Sequence, residues 1–188
     1  MLTGVILAGG QSSRMGGQDK GLQLLAGEPL YKHVLTRFLP QVDEVIISAN
    51  RNIASYRRSG LRTIRDQYEG FAGPLAGIHA GLQAAKSEWV VCVPCDVPAL
   101  PLDLVTRLWA GKSDAPAAYA TDGVRSHPTL LLLHTRVSGM LEDYLRQGDR
   151  KLMLFLERIN ARPVSFADQA DAFRNFNTPE DLKQWSVT

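Results

Sequence analysis

The sequence predicts an α/β fold in which a mostly parallel sheet carries helices on both faces. Short apolar runs typical of buried strands alternate with segments of helical spacing through the first half of the chain. The first run, Val-Ile-Leu at residues 5–7, opens directly into a glycine-rich loop, as buried parallel strands of ligand-binding sheets do. We therefore expect a three-layer, Rossmann-like arrangement.

The elements of the first half follow from apolar spacing and from proline and glycine punctuation. Pro29 suits the first turn of a helix, and Pro40 ends that helix. After the first strand the predicted elements are a helix over 29–39, a strand over 44–49, a short helix over 53–59, a strand over 61–65, a helix from the 73–77 glycines to about 85, and a strand over 88–94.

The second half changes its pattern but stays within one predicted domain. Asp122-Gly123 predicts a turn between two strands, and Thr178-Pro179 predicts a helix start. The predicted elements are a helix over 102–110, strands over 115–120 and 129–133, helices over 137–146 and 150–158, a strand over 162–166 and an edge strand over 173–177. We expect residues 1–188 to form a single domain, with a nucleotide-binding half over about 1–100 and a second-substrate half over about 101–188.

Composition excludes several classes of function. The chain has 188 residues, 45% of them hydrophobic and 21% charged, with a net charge of +2 that does not favour nucleic acid or a membrane surface as a partner. The N-terminus shows no basic leader or cleavage signal, so we expect a cytoplasmic protein. Cys92 and Cys95 fall within an apolar strand, and we interpret them as buried reduced thiols.

The loop after the first strand has the composition of a phosphate-binding device. Glycines let backbone N–H groups approach an anion without Cβ atoms in the way, and two cations, Arg14 and Lys20, share the loop. The loop does not match the Gly-x-x-x-x-Gly-Lys-Ser/Thr pattern, because Lys20 follows an aspartate and precedes a glycine. The sequence therefore predicts a phosphate site of another kind, with glycines at Gly9, Gly10, Gly16 and Gly17.

Polar residues follow the next three predicted strands at their carboxyl ends, where parallel sheets bind ligands. They are Asn50, Asp66 and Asp96. A carboxylate beside a triphosphate loop is suited to Mg²⁺, which takes one or two carboxylates and completes its shell with phosphate oxygens. We expect Asp96 to hold that metal, whereas Asp66 suits a nucleotide contact, a group supporting the metal or a solvated residue at the end of a strand.

The run Leu-Ala-Gly-Gly-x-x-x-Arg-Met-Gly-Gly-x-Asp-Lys at residues 7–20 resembles the signature of nucleotidyltransferases that use a nucleoside triphosphate. The doubled glycine after Met15 and the ending Asp-Lys-Gly-Leu most resemble the molybdenum cofactor guanylyltransferases. Further stretches resemble that family in the same order, at residues 73–77, 95–98, 127–128 and 175–181.

The resemblance implies a nucleotidyltransferase-like fold and transfer of a guanylyl group from GTP to the terminal phosphate of molybdopterin, with Mg²⁺ and release of pyrophosphate. It also implies contacts with a molybdenum-insertion protein and recipient molybdoenzymes as possible partners. Residues assigned to catalysis are Arg14, Lys20 and Asp96. Residues assigned to GTP are Leu7, Ala8, Gly9, Gly10, Lys20, Asn50, Asp66 and Asp96. Residues assigned to the pterin are Asn175 and Asn177.

Two alternatives stay open at the level of the sequence. A related nucleotidyltransferase specific for CTP or for a sugar phosphate would share the loop and Asp96. A non-catalytic adaptor that binds GTP belongs to a different class, and the presence of both Lys20 and Asp96 argues against it.

Overall fold

The computed structural model describes residues 1–9, 19–66 and 73–174. Within these ranges, nine strands alternate with six α-helices. The strands are β1 (Leu2–Leu7), β2 (Leu24–Leu25), β3 (Glu28–Pro29), β4 (Glu44–Ser48), β5 (Arg62–Ile64), β6 (Trp89–Pro94), β7 (Ala117–Thr121), β8 (Ser126–His134) and β9 (Arg162–Ser165). The helices are α1 (Leu30–Phe38), α2 (Ile53–Arg57), α3 (Pro74–Ala84), α4 (Leu104–Gly111), α5 (Ser138–Arg146) and α6 (Leu152–Arg158).

Seven of the strands form one sheet in the order β5-β4-β1-β6-β8-β7-β9. Strand β8 runs antiparallel to both of its neighbours, β6 and β7, whereas the other pairings in this sheet are parallel. The expectation of a mostly parallel sheet is confirmed. Because β8 runs in the opposite sense, its first residues lie at the edge where the parallel strands end.

Each face of the sheet buries its own hydrophobic cluster. One cluster joins β1, β4 and β6 to α1 and α4 through residues such as Phe38 and Leu108. The other packs the opposite face against α3, α5 and α6, with Ile78 and Phe155 among its members. The two clusters are the interfaces between the sheet and the helices on its two faces. The strands between them are apolar on both sides, as their continuous apolar sequences predict.

The structure differs from the sequence-based expectations at two places. The short hairpin of β2 and β3 was not predicted; its turn residues Ala26 and Gly27 have φ angles of 52° and 83°, the left-handed backbone of a tight hairpin turn. The edge strand predicted from Phe173 is wrong at its start, because Phe173 ends a 3-10 segment over Ala167–Phe173. The rest of that strand and the helix predicted at Thr178 lie outside the described residues.

Among the described helices, none has the length and apolar character needed to cross a bilayer.

Candidate active site

A cleft of about 350 Å³ opens at the carboxyl edge of the parallel strands. Its walls come from the ends of β1, β4 and β6, the turn before the first 3-10 segment, the start of α3 and the start of β8. The lining residues are Leu7, Ala8, Gly9, Asp19, Lys20, Ser48, Asp66, Gly73, Pro74, Gly77, Pro94, Cys95, Asp96 and Thr129. Parallel α/β sheets bind their ligands at this edge, so the cleft is the candidate active site.

The floor of the cleft is the end of β1, held from both sides. The N–H of Ala8 donates to the carbonyl of Ser48 at 2.8 Å, and the N–H of Cys95 donates to the carbonyl of Leu7 at 3.3 Å. Gly9 follows, and a Cβ at this position would lie 3.1 Å from Nδ2 of Asn50. The absence of a side chain at Gly9 therefore lets the chain leave the sheet close to β4.

Lys20 reaches the cleft from a short 3-10 turn, Lys20–Leu22, in which the Asp19 side chain caps the N–H of Gly21. The Asp19 carboxylate is 6% exposed and accepts hydrogen bonds from Gly21 N at 3.1 Å, the Tyr56 hydroxyl at 2.6 Å and Asn52 Nδ2 at 3.4 Å. Asp19 is thus occupied with fixing the turn. The ammonium of Lys20 lies 3.8 Å from Oδ2 of Asp96.

Asp96 is the buried acid of the cleft, 8% exposed just beyond the end of β6. Burial raises the pKa of Asp96 above its ordinary value of 3.8, and the nearby Lys20 ammonium acts in the opposite direction. Burial removes hydration from this carboxylate, and within the described ranges the Lys20 ammonium at 3.8 Å offsets only part of that loss. A second cation at this position would lower the energy of the ionised form.

Asn50 and Asp66 form a braced pair at the end of β4 and β5. Asn50 Nδ2 donates to Asp66 Oδ2 at 2.5 Å, and the N–H of Asp66 donates back to Asn50 Oδ1 at 3.1 Å. Asp66 lines the cleft but Asn50 does not. In this conformation Asn50 orients Asp66, while Ser48, two residues earlier, lines the wall directly.

Helix α3 points its N-terminus into the cleft. Gly73 and Pro74 line the wall, and Pro74 occupies the first turn, where its missing N–H costs nothing. The first turn of an eleven-residue helix presents N–H groups and a partial positive charge to an anion. The helix approaches the sheet closely because Gly77 faces the Ser48 side chain and Leu7.

The structure brings most of the candidate residues to one place. Leu7, Ala8, Gly9, Lys20, Asp66 and Asp96 line the cleft, and Asn50 stands behind Asp66. Gly10, Arg14, Asn175 and Asn177 lie outside the described residues. The sequence did not single out Ser48 or Thr129 as cleft residues, nor Asp19 as the cap of the lysine turn. Only Asp19 had a local signal, an acid directly before the turn.

The arrangement is suited to holding a polyanion. It combines the Lys20 ammonium, a helix N-terminus and a buried carboxylate able to bind a cation.

Cys92 and Cys95 are both buried and free, as expected, and burial raises the pKa of both thiols. They are therefore protonated, and neither has the character of a nucleophile.

Known proteins resemble this chain in both sequence and structure. The family model described as "MobA-like NTP transferase domain" matches residues 4–162. A molybdenum cofactor guanylyltransferase of Yersinia pestis is 59% identical over 184 residues, with 98% of this chain and 94% of the relative aligned. Among solved structures, molybdopterin-guanine dinucleotide biosynthesis protein A from Archaeoglobus fulgidus has a TM-score of 0.79 at 25% identity, covering 97% of this chain and 95% of that one. A nucleotidyl transferase from Methanothermobacter thermautotrophicus has a TM-score of 0.77 at 21% identity, covering 98% and 95%, and supports the fold.

Proposed function

We propose a reaction for this chain from the premise that it belongs to the family of MobA-like NTP transferase domains, with relatives at 59% identity named molybdenum cofactor guanylyltransferases. The chain is a nucleotidyltransferase. We infer that it transfers a guanylyl group from GTP to the terminal phosphate of molybdopterin. The products are molybdopterin guanine dinucleotide and pyrophosphate.

One observation carries this proposal: Lys20 and Asp96, 3.8 Å apart, line the same cleft as Gly73 and Pro74 at the N-terminus of α3. An oxygen of the acceptor phosphate forms a bond to the α-phosphorus of GTP. The bond from that phosphorus to the bridging oxygen breaks, and pyrophosphate leaves with the electron pair. A phosphate monoester has a second pKa of about 6, so at neutral pH the acceptor is already ionised and needs no strong general base.

Two anions must therefore be held together, and the described residues divide that task. The Lys20 ammonium neutralises charge on the triphosphate, and the first turn of α3 offers N–H groups to the same anion. The carboxylate of Asp66, braced by Asn50, is suited to accept hydrogen bonds from a donor on the nucleotide. Substrates bound in the cleft would displace water from around the reacting phosphates, which would strengthen each of these interactions.

The donor set fits Mg²⁺ rather than a softer ion. Asp96 offers hard carboxylate oxygens, while those of Asp19 are engaged with protein donors. In the described ranges no group of three or more His, Cys, Asp or Glu side chains forms a closed metal cage. One carboxylate completed by phosphate oxygens is a coordination that Mg²⁺ accepts. When bound there, the ion would supply charge neutralisation at the transferring phosphate.

The proposal also covers residues outside the described ranges, the cellular compartment and the partner proteins. We assign Arg14 and Gly10 to the triphosphate, Asn175 and Asn177 to the pterin, and the two halves of the chain to GTP and the pterin respectively. We also assign the protein to the cytoplasm, where two buried reduced thiols are an ordinary feature. A molybdenum-insertion protein and recipient molybdoenzymes remain proposed partners.

The test is release of pyrophosphate from GTP with Mg²⁺ and molybdopterin, comparing the wild type with Asp96→Asn. We expect the wild type to release pyrophosphate only when all three are present. Loss of the carboxylate should lower the rate by a factor on the order of 10² or more, the effect of losing one well-placed electrostatic group. Asp114→Asn is the matched control, because Asp114 is exposed and outside the cleft.

Two results would contradict the proposal. One is near-normal turnover of folded Asp96→Asn with an unchanged need for Mg²⁺. The other is equal turnover with CTP, ATP or UTP in place of GTP. A thermal-shift panel of the four nucleotides gives the same comparison without the pterin, because a ligand that binds the folded state raises its stability.

A further inference from the structure

Strand β8 contains an irregularity next to the cleft. Tyr119 of β7 pairs with Leu131 of β8, but the next residue, Ala120, pairs with His127. One step along β7 therefore corresponds to four along β8, and residues 128–130 bulge from the ladder. Pro128 has no N–H to donate to a neighbouring strand, which favours a break at this point.

The bulge lies beside the end of β6, which leads to Asp96. The ladder between β6 and β8 ends at the pair Cys92–Leu131, two residues before β6 itself ends at Pro94. Leu130 is 1% exposed and anchors the bulge in the core. Thr129 lines the cleft together with Pro94 and Asp96. Bulges beside active sites commonly redirect a side chain, and here the side chain redirected into the cleft is Thr129.

The Thr129 hydroxyl makes no hydrogen bond to any residue of the ranges 1–9, 19–66 and 73–174. A hydroxyl is both a donor and an acceptor, and a cleft built for phosphates offers oxygens that need donors. The side chain is neither capping a turn nor bracing a neighbour. Its hydroxyl is therefore available to a ligand in the cleft that Thr129 lines.

The order of the strands indicates which substrate Thr129 meets. On one side of the cleft, Asp66 follows β5 and Ser48 ends β4. Lys20 and Asp96 lie at the centre, near β1 and β6. Thr129 belongs to β8, on the opposite side of Asp96 from the Asp66 wall. A triphosphate that extends from Asp66 to Lys20 leaves the β8 side of the cleft for the second substrate.

The neighbours of the bulge belong to the same side. His127 Nε2 lies 2.8 Å from Asp122 Oδ2, and the His127 ring stacks on Phe173 with centroids 4.9 Å apart. These contacts fix the entry to the bulge. Phe173 precedes by two residues Asn175, which we assign to the pterin.

We propose that Thr129 contacts the acceptor substrate, its hydroxyl donating a hydrogen bond to an oxygen of the acceptor's phosphate. This inference rests on the proposed function, because it takes the acceptor to be a phosphate monoester. It adds a residue from β8 to a site otherwise built from the ends of parallel strands.

The test compares Thr129→Val, which removes the hydroxyl but keeps the β-branched shape, with Thr129→Ser, which keeps the hydroxyl. Direct binding of molybdopterin, followed by its pterin fluorescence, and of GTP are measured separately. We expect Thr129→Val to weaken molybdopterin binding about tenfold or more, the size expected for a hydrogen bond to a charged group. GTP affinity should stay within about twofold, and Thr129→Ser should restore acceptor affinity.

Thr106→Val is the matched control, because Thr106 is exposed on α4 and lines no part of this cleft. Thermal unfolding of each variant confirms folding, and Thr129→Ala replaces the valine variant if that one does not fold. The inference is overturned if molybdopterin affinity is unchanged in Thr129→Val, if GTP affinity falls instead, or if Thr129→Ser is as weak as Thr129→Val. A wild type that binds molybdopterin but releases no pyrophosphate would contradict the proposed function alone, and the binding comparison would still decide the role of Thr129. A wild type that binds no molybdopterin overturns both.

Discussion

The hydroxyl of Tyr56 donates a hydrogen bond of 2.6 Å to Oδ1 of Asp19, the residue that precedes the cleft lysine. Tyr56 is fully buried, and burial raises the pKa of its phenol far above 10.0, with smaller contributions from Cys95 and Asp19. The phenol therefore stays protonated and remains a donor throughout the pH range in which proteins fold. A side chain from α2 thus fixes the turn that presents Lys20.

Removing this one hydroxyl should affect both the fold and the site. In Tyr56→Phe the buried Asp19 carboxylate loses a donor, and we expect the free energy of unfolding to fall by about 1–3 kcal/mol. GTP affinity should fall several-fold as well, because the lysine turn is less firmly held. Denaturant unfolding and GTP titration measure the two effects. Tyr119→Phe on β7 is the control, and an equal loss of affinity in that variant would contradict a specific role for Tyr56.

The close approach of α3 to the sheet gives a second prediction. A Cβ at Gly77 would lie 3.2 Å from both Ser48 Oγ and Leu7 Cδ2, so Gly77→Ala should displace the first turns of α3 from the cleft. We expect GTP affinity to fall at least about threefold, since the helix N-terminus no longer meets the phosphates as closely. Isothermal titration with GTP measures the change.

Two other helical glycines provide controls for that experiment. Gly139, at the start of α5, has open space around it, and Gly139→Ala should raise stability by up to about 1 kcal/mol without changing GTP affinity. A Cβ at Gly81 would lie 2.9 Å from Val5, so Gly81→Ala should lower stability. Gly81 lies one helical turn further from the cleft than Gly77. If Gly81→Ala and Gly77→Ala weaken GTP binding equally, the effect is general and not a property of the helix terminus.

The buried acid of the cleft should reduce the stability of the protein without its ligands. Burial raises the pKa of Asp96, so near neutral pH its ionised form is less favourable in the folded than in the unfolded chain, and stability falls as pH rises above 3.8. We therefore expect Asp96→Asn to raise the Tm at pH 7 in the absence of nucleotide and metal, although the same change lowers the rate of transfer. Differential scanning calorimetry measures this change. Asp114→Asn should leave the Tm unchanged, and a lower Tm in Asp96→Asn would contradict the prediction.

Asp122 should contribute to stability with the opposite sign. Hydrogen bonds from His127, Arg125 N and Val124 N hold the pKa of Asp122 well below its ordinary value of 3.8. Its contribution is present above pH 3.8 and is lost as pH falls below that value. Between about pH 5 and pH 3, the Tm of the wild type should therefore fall more steeply than that of Asp122→Asn. Parallel melting curves across this range test the prediction, and identical slopes would exclude a contribution from Asp122.

The sequence predicted those parts of the site that depend on local pattern. Asp66 and Asp96 could be located because each follows an apolar run, and the ends of parallel strands meet at one edge of the sheet. Thr129 could not, because the bulge that redirects it arises from the pairing of β7 with β8, which no local pattern encodes. Asn50 stays a predicted nucleotide contact, and its hydrogen bond to Asp66 joins the ends of two strands, a pairing that no local pattern encodes.

Strand β6 needs partners that are synthesised at very different times. Strand β1 is available before β6 emerges, but the other edge of β6 is covered only by β8, which begins at Ser126, well after Pro94. At translation rates of about 5–20 residues per second, that edge stays open for a period on the order of seconds. Its run from Val90 to Val93 is apolar and uncharged, the kind of open edge that pairs with other chains. A nascent or prematurely terminated chain that lacks β8 should therefore aggregate, and chaperones would have to protect this edge until the antiparallel strand is made.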